Sequence, residues 1–422
     1  MMTNKELYVW VRGNIFEALD VAKLSLLDKS DLKSQVQNAI DVLVSKHYRP
    51  LSGATKTMLV NNLMDEITGL GPIQPLLEDD TVTDIMVNGA SQVYFERFGK
   101  ISSSEITFVD EAQVFDIAQR IASSVGRRVD ESHPMVDARL EDGSRVNIVT
   151  KPLAIDGTTI SIRKFRKQHI DFEELVRLGT MNSPMATVLR IAAHSRLNIL
   201  ISGGTGSGKT TLLNALSNSI SEAERIVTIE DAAELKLQQP HVVRLETRKA
   251  SIEKEGEITQ RELVINSLRM RPDRIILGEC RGSEAFEMLQ AMNTGHDGSM
   301  STLHANNPRD AISRVESMVM MANLNQPLHA IRRTIVSAVN LIVQVSRMRD
   351  GTRKVTHISE VVGLEGDSVV LEDLYTFELN QTQDMEKVAG KFVTEGLMQR
   401  SVLNQKANYF GLQTELAFAF RT

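Results

Sequence analysis

Apolar residues recur at helical spacing in the first 66 positions, in Ile15, Leu19, Ala22 and Leu26 and again in Val36, Ile40, Leu43 and Val44. Residues 1–66 are therefore expected to form a helical N-terminal segment. Gly69-Leu70-Gly71-Pro72 interrupts that period, and short β-type runs follow, Asp84–Val87 and Gln92–Glu96. A helix over about 111–125 and further strands at Ser144–Val149 and Thr158–Arg163 complete what reads as a small α/β domain over 67–165. Composition changes abruptly at Lys164-Phe165-Arg166-Lys167-Gln168-His169, so 166–182 is read as a linker.

From residue 183 the pattern becomes helix, strand, glycine-rich turn, helix, strand, the signature of a doubly wound parallel sheet. Expected buried strands are Leu197–Ser202, Arg225–Glu230, Val242–Glu246, Arg274–Leu277 and Ser299–His304. The runs Leu341–Val345 and Val355–Val362 extend the sheet. The run Met318-Val319-Met320-Met321 reads as core packing, and the last forty residues carry no clear period.

Composition narrows the class. Across 422 residues, 42% hydrophobic and 24% charged content is that of a folded globular protein. Lys5, Glu6, Arg12, Glu17, Asp20 and Lys23 break up the first thirty residues, which excludes an uninterrupted signal-peptide core. No apolar stretch approaches the roughly 18 residues that span a bilayer, so a cytoplasmic location is expected. Cys280 is the only cysteine, which rules out an intrachain disulfide and a Cys-rich zinc site. A net charge of -6 argues against an obligate nucleic-acid binder.

The strongest chemical signal is Gly203-Gly204-Thr205-Gly206-Ser207-Gly208-Lys209-Thr210, with Thr211 following, between Asn198–Ile201 and Leu212–Leu216. A glycine-rich turn before a helix aims successive backbone N–H groups at phosphates, Lys209 reaches the β- and γ-phosphates, and Thr210 offers a hydroxyl to Mg²⁺. ATP and Mg²⁺ are the cofactors implied.

Three further groups belong to the same crevice. The strand Ile275-Ile276-Leu277 ends in Gly278-Glu279 without the customary metal-binding Asp, and a carboxylate there can deprotonate the attacking water; the alternative is a surface acid. Asp273 stands before the strand and reads as a turn residue. Thr228–Glu234 also follows a buried strand, so that Glu230 could hold Mg²⁺-bound water, or the segment is a polar loop with a helix cap at Asp231. Gly295–Gly298 and Thr302–Asn306 bracket a short strand, and His304 could sense a γ-phosphate or satisfy a buried backbone group.

Taken in order, GGTGSGKTT, TIEDAAEL, RPDRIILGECRG and TGHDGSMSTLHAN resemble the Walker A, Asp box, atypical Walker B and His box of the type II and type IV secretion ATPases. QQPHVVRLETR, SLRMRPDRIILGECRG and LQAMNTGHDGSMSTLHANNPRDAISR are similar to the CpaF/TadA branch, which assembles Flp (tight-adherence) pili. The resemblance runs from about 65 to about 365. It implies a RecA-like P-loop NTPase domain beside a smaller N-terminal α/β domain, a hexameric ring with ATP between protomers, and work on an inner-membrane platform reached through partners. It implies that Lys209 and Thr210 carry phosphates and metal, Glu279 is the catalytic carboxylate, Glu234 the Asp-box acid and His304 the His-box residue. The missing Asp before Glu279 is then the family's normal form.

The resemblance also implies arginines from the N-terminal domain at the nucleotide, and Asp137–Arg145 and Ile160–Phe165 look like the matching blocks. Arg139, Arg145 and Arg163 are the candidates, with Arg281 ranked below them. Competing readings are a type IV secretion traffic ATPase, a DNA-translocating RecA-like ATPase and a nucleotide-gated scaffold that does not hydrolyse. Neither nucleic acid nor zinc is expected as a partner.

Overall fold

The computed structural model describes residues 3–18, 28–47, 51–140, 142–165, 170–248, 255–322, 326–380 and 388–421. The chain divides into two compact units, Met1–Lys167 and Gln168–Thr422.

In the first unit, helices Asn4–Ala18, Lys29–His47 and Gly53–Thr68 pack through Val11, Ile15, Val36, Ile40, Leu59 and Leu63. Ile15, Val36, Ile40 and Val44 are buried and Leu43 partly so, as their spacing predicts; Leu19, Ala22 and Leu26 lie outside the described residues. The helices then give way to a six-stranded antiparallel sheet of order β3-β2-β1-β6-β5-β4. Its strands are β1 (Val82–Asn88), β2 (Gln92–Arg97), β3 (Lys100–Ser103), β4 (Met135–Arg139), β5 (Arg145–Val149) and β6 (Thr159–Arg163). One face carries Ile85, Val87, Val146, Ile148, Ile160 and Ile162 and shares a core with the amphipathic helix Glu111–Ser124; the intervening residues point away.

The second unit is built on a nine-stranded sheet of order β15-β14-β13-β12-β7-β11-β10-β8-β9. Its strands are β7 (Ile199–Gly203), β8 (Ile226–Glu230), β9 (Val242–Glu246), β10 (Arg274–Leu277), β11 (Met300–Leu303), β12 (Leu341–Arg347), β13 (Arg353–Glu365), β14 (Ser368–Leu379) and β15 (Gly390–Val393). From β12 to β9 all neighbours are parallel; β13, β14 and β15 add an antiparallel extension. β7, β8, β10 and β11 are buried along their whole length, which is why they read as unbroken apolar runs rather than alternating ones. Ile199 and Ile201 face one core, with helices Ser183–His194, Lys209–Ser217 and the C-terminal pair Val402–Tyr409 and Gln413–Ala419. Leu200 faces the other, with helices Glu284–Asn293, Pro308–Met320 and Leu328–Ala338.

Several expectations change here. Within the supposed linker, Asp171 caps a helix, Phe172–Arg177, by accepting from the Glu174 N–H at 2.8 Å, and Phe172, Leu175 and Met181 are buried in the second unit's core. Residues 166–169 lie outside the described residues. Met318 and Val319 are core residues, whereas Met320 and Met321 are 53% and 54% exposed, because successive helical positions turn by about 100°. The opaque C-terminal stretch folds as β15 and two short helices whose Leu403, Ala407 and Leu416 are buried.

One buried ion pair anchors the sheet away from the strands' carboxyl ends. Arg274 is fully buried, its Nε and Nη2 donate to Glu224 at 2.7 and 2.8 Å, and its Nη1 reaches the Ala193 carbonyl at 2.6 Å. Glu224→Ala would strand that guanidinium without its partner. The expected loss is about 3–5 kcal/mol of stability, read as a lower urea midpoint for the second unit by circular dichroism; the exposed pair broken by Lys391→Ala should move the midpoint by less than about 1 kcal/mol.

Candidate functional site

The site lies at the carboxyl ends of β7, β8, β10 and β11, where a parallel sheet offers its crevice to ligands. β7 delivers the chain to Gly203, and the turn 203–208 leads into helix Lys209–Ser217. Gly206 and Gly208 have φ of 70° and 100°, the left-handed region open to glycine. At Gly203 the constraint is contact: a Cβ would stand 2.3 Å from the Val345 carbonyl oxygen and 2.6 Å from Ser207 Oγ.

Lys209 is buried, and its ammonium donates to the carbonyls of Gly203 and Gly204 at 3.1 and 3.0 Å. Burial lowers its affinity for a proton, while the Glu279 carboxylate works in the opposite direction. Thr210 and Thr211 follow on the first turn of the helix, half-buried.

Across the crevice, Gly278 donates its N–H to the Ile229 carbonyl at 2.8 Å and Cys280 donates to the Thr302 carbonyl at 2.8 Å. These bonds fix the backbone on both sides of Glu279. Its Oε1 lies 2.7 Å from His304 Nε2, and its Oε2 accepts from Arg281 Nε at 2.7 Å. Arg281 also stands 3.6 Å from Asp231, and its backbone N–H donates to Glu284 at 2.6 Å. Burial, reinforced by the positive charge of Lys209, holds the His304 imidazole below the usual histidine value, with Glu279 pulling it back up.

Glu230 ends β8 as a buried carboxyl whose Oε2 accepts the N–H groups of Glu234 and Leu235 at 2.7 and 2.9 Å. It thereby pins the loop that presents Glu234, and burial pushes its proton affinity up. Asp231 caps no helix; it accepts from Thr247 Oγ1 at 3.3 Å. Asp273 accepts the Arg225 N–H at 2.8 Å, a bond between residues 48 apart that ties the starts of β10 and β8 together rather than closing a local turn.

The residues fit a nucleotide with its magnesium. The glycine cradle admits no side chain at Gly203, and Ser207 Oγ, Thr228 Oγ1 and Glu230 Oε1 are buried polar atoms with no protein partner. Among the described residues no group of three His, Cys, Asp or Glu side chains is arranged to hold a metal, so Thr210 and phosphate oxygens would supply the ion's ligands beside water.

Arg139, Arg145 and Arg163 belong to the first unit, where they form one row. Arg139 pairs across to Arg145 and Arg145 to Arg163, and Arg163 pairs in turn with Asp84, its Nε 3.1 Å from the carboxylate. Directly paired residues share a face, so strand register gathers three arginines from two separated sequence blocks on the face opposite the domain core.

Sequence reasoning passed over Gln344. This residue is buried on β12, accepts from Ser202 Oγ and donates to the Ala305 carbonyl at 3.2 Å, tying β7 to the backbone just after His304. An amide inside the apolar run Leu341–Val345 was the available signal. Both strands of the β12–β13 hairpin were expected, but not the contact that its arginine makes: Arg353 Nε donates to the Gly206 carbonyl at 3.0 Å.

Residues 66–384 match the model of the type II/IV secretion system protein family. A Mycobacterium tuberculosis protein provisionally named for conjugal transfer is 39% identical over 310 residues, covering 72% of this chain and 88% of the relative. The conjugal transfer protein TrbB of Rhizobium radiobacter is 33% identical, covering 69% of this chain and 86% of its own. The type IV secretion system protein VirB11 of Bartonella quintana is 32% identical, with 69% and 92% covered. A solved structure, the VirB11 ATPase from the Brucella suis type IV secretion system, aligns at 27% identity over 68% of this chain and 95% of its own, with a TM-score of 0.38.

The environment of His304 makes a measurable prediction. Its folded midpoint is depressed, so the neutral ring is favoured in the fold, and the stability this gives is lost as pH falls through the ordinary histidine range. In a histidine-resolved NMR titration the His304 midpoint should lie below that of an exposed histidine. Lys209→Ala should raise it and Glu279→Gln should lower it further; a midpoint indifferent to both would contradict the described geometry.

Proposed function

The chain belongs to the type II/IV secretion system protein family, and from that premise we propose that it is an ATP-hydrolysing hexameric motor that powers pilus assembly or secretion at a bacterial inner membrane. The observation that carries this reading is the meeting of Lys209, Glu279 and His304 at the carboxyl ends of adjacent strands, with Glu279 2.7 Å from His304. In the proposed reaction the backbone N–H groups of 204–211 cradle the phosphates and Lys209 leaves its loop carbonyls for the β- and γ-oxygens. Glu279 orients the attacking water and takes its proton, which fits a carboxylate steadied by Arg281. His304, neutral at physiological pH, donates a hydrogen bond toward the γ-phosphate. Glu234 acts from the loop that Glu230 pins. Thr210 is the protein hydroxyl for a magnesium ion, which neutralises charge on the phosphate oxygens when bound.

The arginine row of the N-terminal domain is proposed to serve a nucleotide held by the neighbouring protomer of the ring. Three guanidiniums on one face would neutralise charge on the transferring phosphoryl group. Among the described residues no helix is long and apolar enough to cross a membrane.

Two cargo readings have separate support. The phrases around SLRMRPDRIILGECRG resemble the Flp (tight-adherence) branch, whereas the names of the relatives above favour a traffic ATPase of conjugal transfer or type IV secretion. Deleting the protein in its host decides between them. Loss of surface pili with transfer intact selects the first, and loss of transfer with pilin surface display intact selects the second.

ATP turnover tests the motor itself. Hydrolysis should depend on magnesium and rise with protein concentration as rings form. It should drop by about a hundredfold or more in Glu279→Gln and about a thousandfold in Arg163→Ala, while Lys209→Ala should lose nucleotide binding. A rate independent of assembly and unaffected by Arg163→Ala would return the arginines to a structural role.

A further inference from the structure

The β12–β13 hairpin carries charge that the hydrolytic site does not use. β12 runs parallel to β7 with Val345 paired to Gly203, so Arg347, two residues on, lies alongside the phosphate loop rather than alongside the strand. Arg347 pairs across the hairpin with Arg353. Arg353 Nε donates to the Gly206 carbonyl at 3.0 Å, and a Cβ built at Gly208 would lie 3.4 Å from Arg353 Cδ. A Cβ at Gly206 would lie 3.6 Å from Arg347 Nη1. Both guanidiniums therefore border Gly206, and Arg353 borders Gly208 as well, in the loop whose N–H groups would face a diphosphate. Asp350, in the turn between them, accepts the N–H groups of Thr352 and Val388 at 3.0 and 2.9 Å.

Strand order fixes which end of a nucleotide this hairpin meets. β7 lies between β12 and β11. Glu279 and His304, the groups aimed at the γ-phosphate, stand on the β11 and β10 side; Arg347 and Arg353 stand on the other. We propose that Arg353, assisted by Arg347, is a positioning residue for the α- and β-phosphates that ATP and ADP share, closing the phosphate loop from the side opposite the hydrolytic carboxylate. The inference rests on the reading of 203–210 as a nucleotide site. A guanidinium that holds the Gly206 carbonyl is placed to brace the loop and to meet phosphate oxygens bound in it.

Equilibrium binding of ADP and of a non-hydrolysable ATP analogue to the full-length chain tests it, with Arg353→Ala, Arg353→Lys, Arg347→Ala and, as the control for the site, Lys209→Ala. Arg353→Ala should weaken both ligands about tenfold, Arg347→Ala less, and Arg353→Lys should restore part of the loss. KM for ATP should rise with the loss of affinity while kcat changes far less, and the unfolding temperature without nucleotide should stay within about 2 °C. Unchanged affinities with a lowered unfolding temperature would overturn the proposal, leaving Arg353 as a brace. Loss confined to the ATP analogue would overturn it too, by assigning the group to the γ-phosphate. If the wild type binds neither ligand, or Lys209→Ala binds as well as wild type, the nucleotide site itself is refuted and the proposal falls with it.

Discussion

The close passage of β7 and β12 at Gly203 is the constraint on which the rest of the site depends. Only a residue without a side chain lets the Val345 carbonyl approach as it does, and a Cβ there would overlap it at 2.3 Å. Because β7 is packed tightly against β12, Gln344 can reach both Ser202 and the Ala305 carbonyl, and the β12–β13 hairpin can lie against Gly206. One missing methyl group thus sets the relation among the phosphate loop, the loop bearing His304 and the arginine hairpin. Close packing makes such a contact unforgiving.

The charges around the crevice form a balanced group. Lys209 is drawn toward neutrality by burial and held cationic by Glu279; His304 is pushed toward neutrality by burial and Lys209 and pulled back by the same carboxylate. Arg281 grips Glu279 and stands near Asp231. Moving the Lys209 ammonium from its loop carbonyls to a bound phosphate would alter the field at His304. A phosphate that drew Lys209 away would thus act on the histidine through charge.

Much of this was legible in the sequence, and the reasons differ by element. The central strands were readable because both faces are buried, which leaves continuous apolar runs such as Ile275-Ile276-Leu277. The loop 203–208 stood out through glycines whose positive φ or close contacts leave no room for another residue. Asp171–Met181 was misjudged because its short helix carries only two strong anchors, Phe172 and Leu175, too few for a visible period. Glu230 was read as a metal-side acid, yet what it visibly does is cap backbone N–H groups, a contact between residues four and five apart that no strand pattern announces. Gln344 and Arg353 meet the loop from about 140 residues away, and only tertiary structure brings such distances together.

The arginine row in the first unit has a consequence for how this protein can change over time. Arg139, Arg145 and Arg163 are neighbours solely because β4, β5 and β6 hold one register. Side chains alternate faces along a strand, so gaining or losing a single residue in β5 would swing Arg145 into the hydrophobic layer and bring Val146 or Ser144 outward. Point substitutions in these strands can be gradual, but changes of length cannot. The N-terminal sheet is thereby locked in residue count, and lineages that diversify this domain are free to do so only in loops that leave the pairing of these three strands intact.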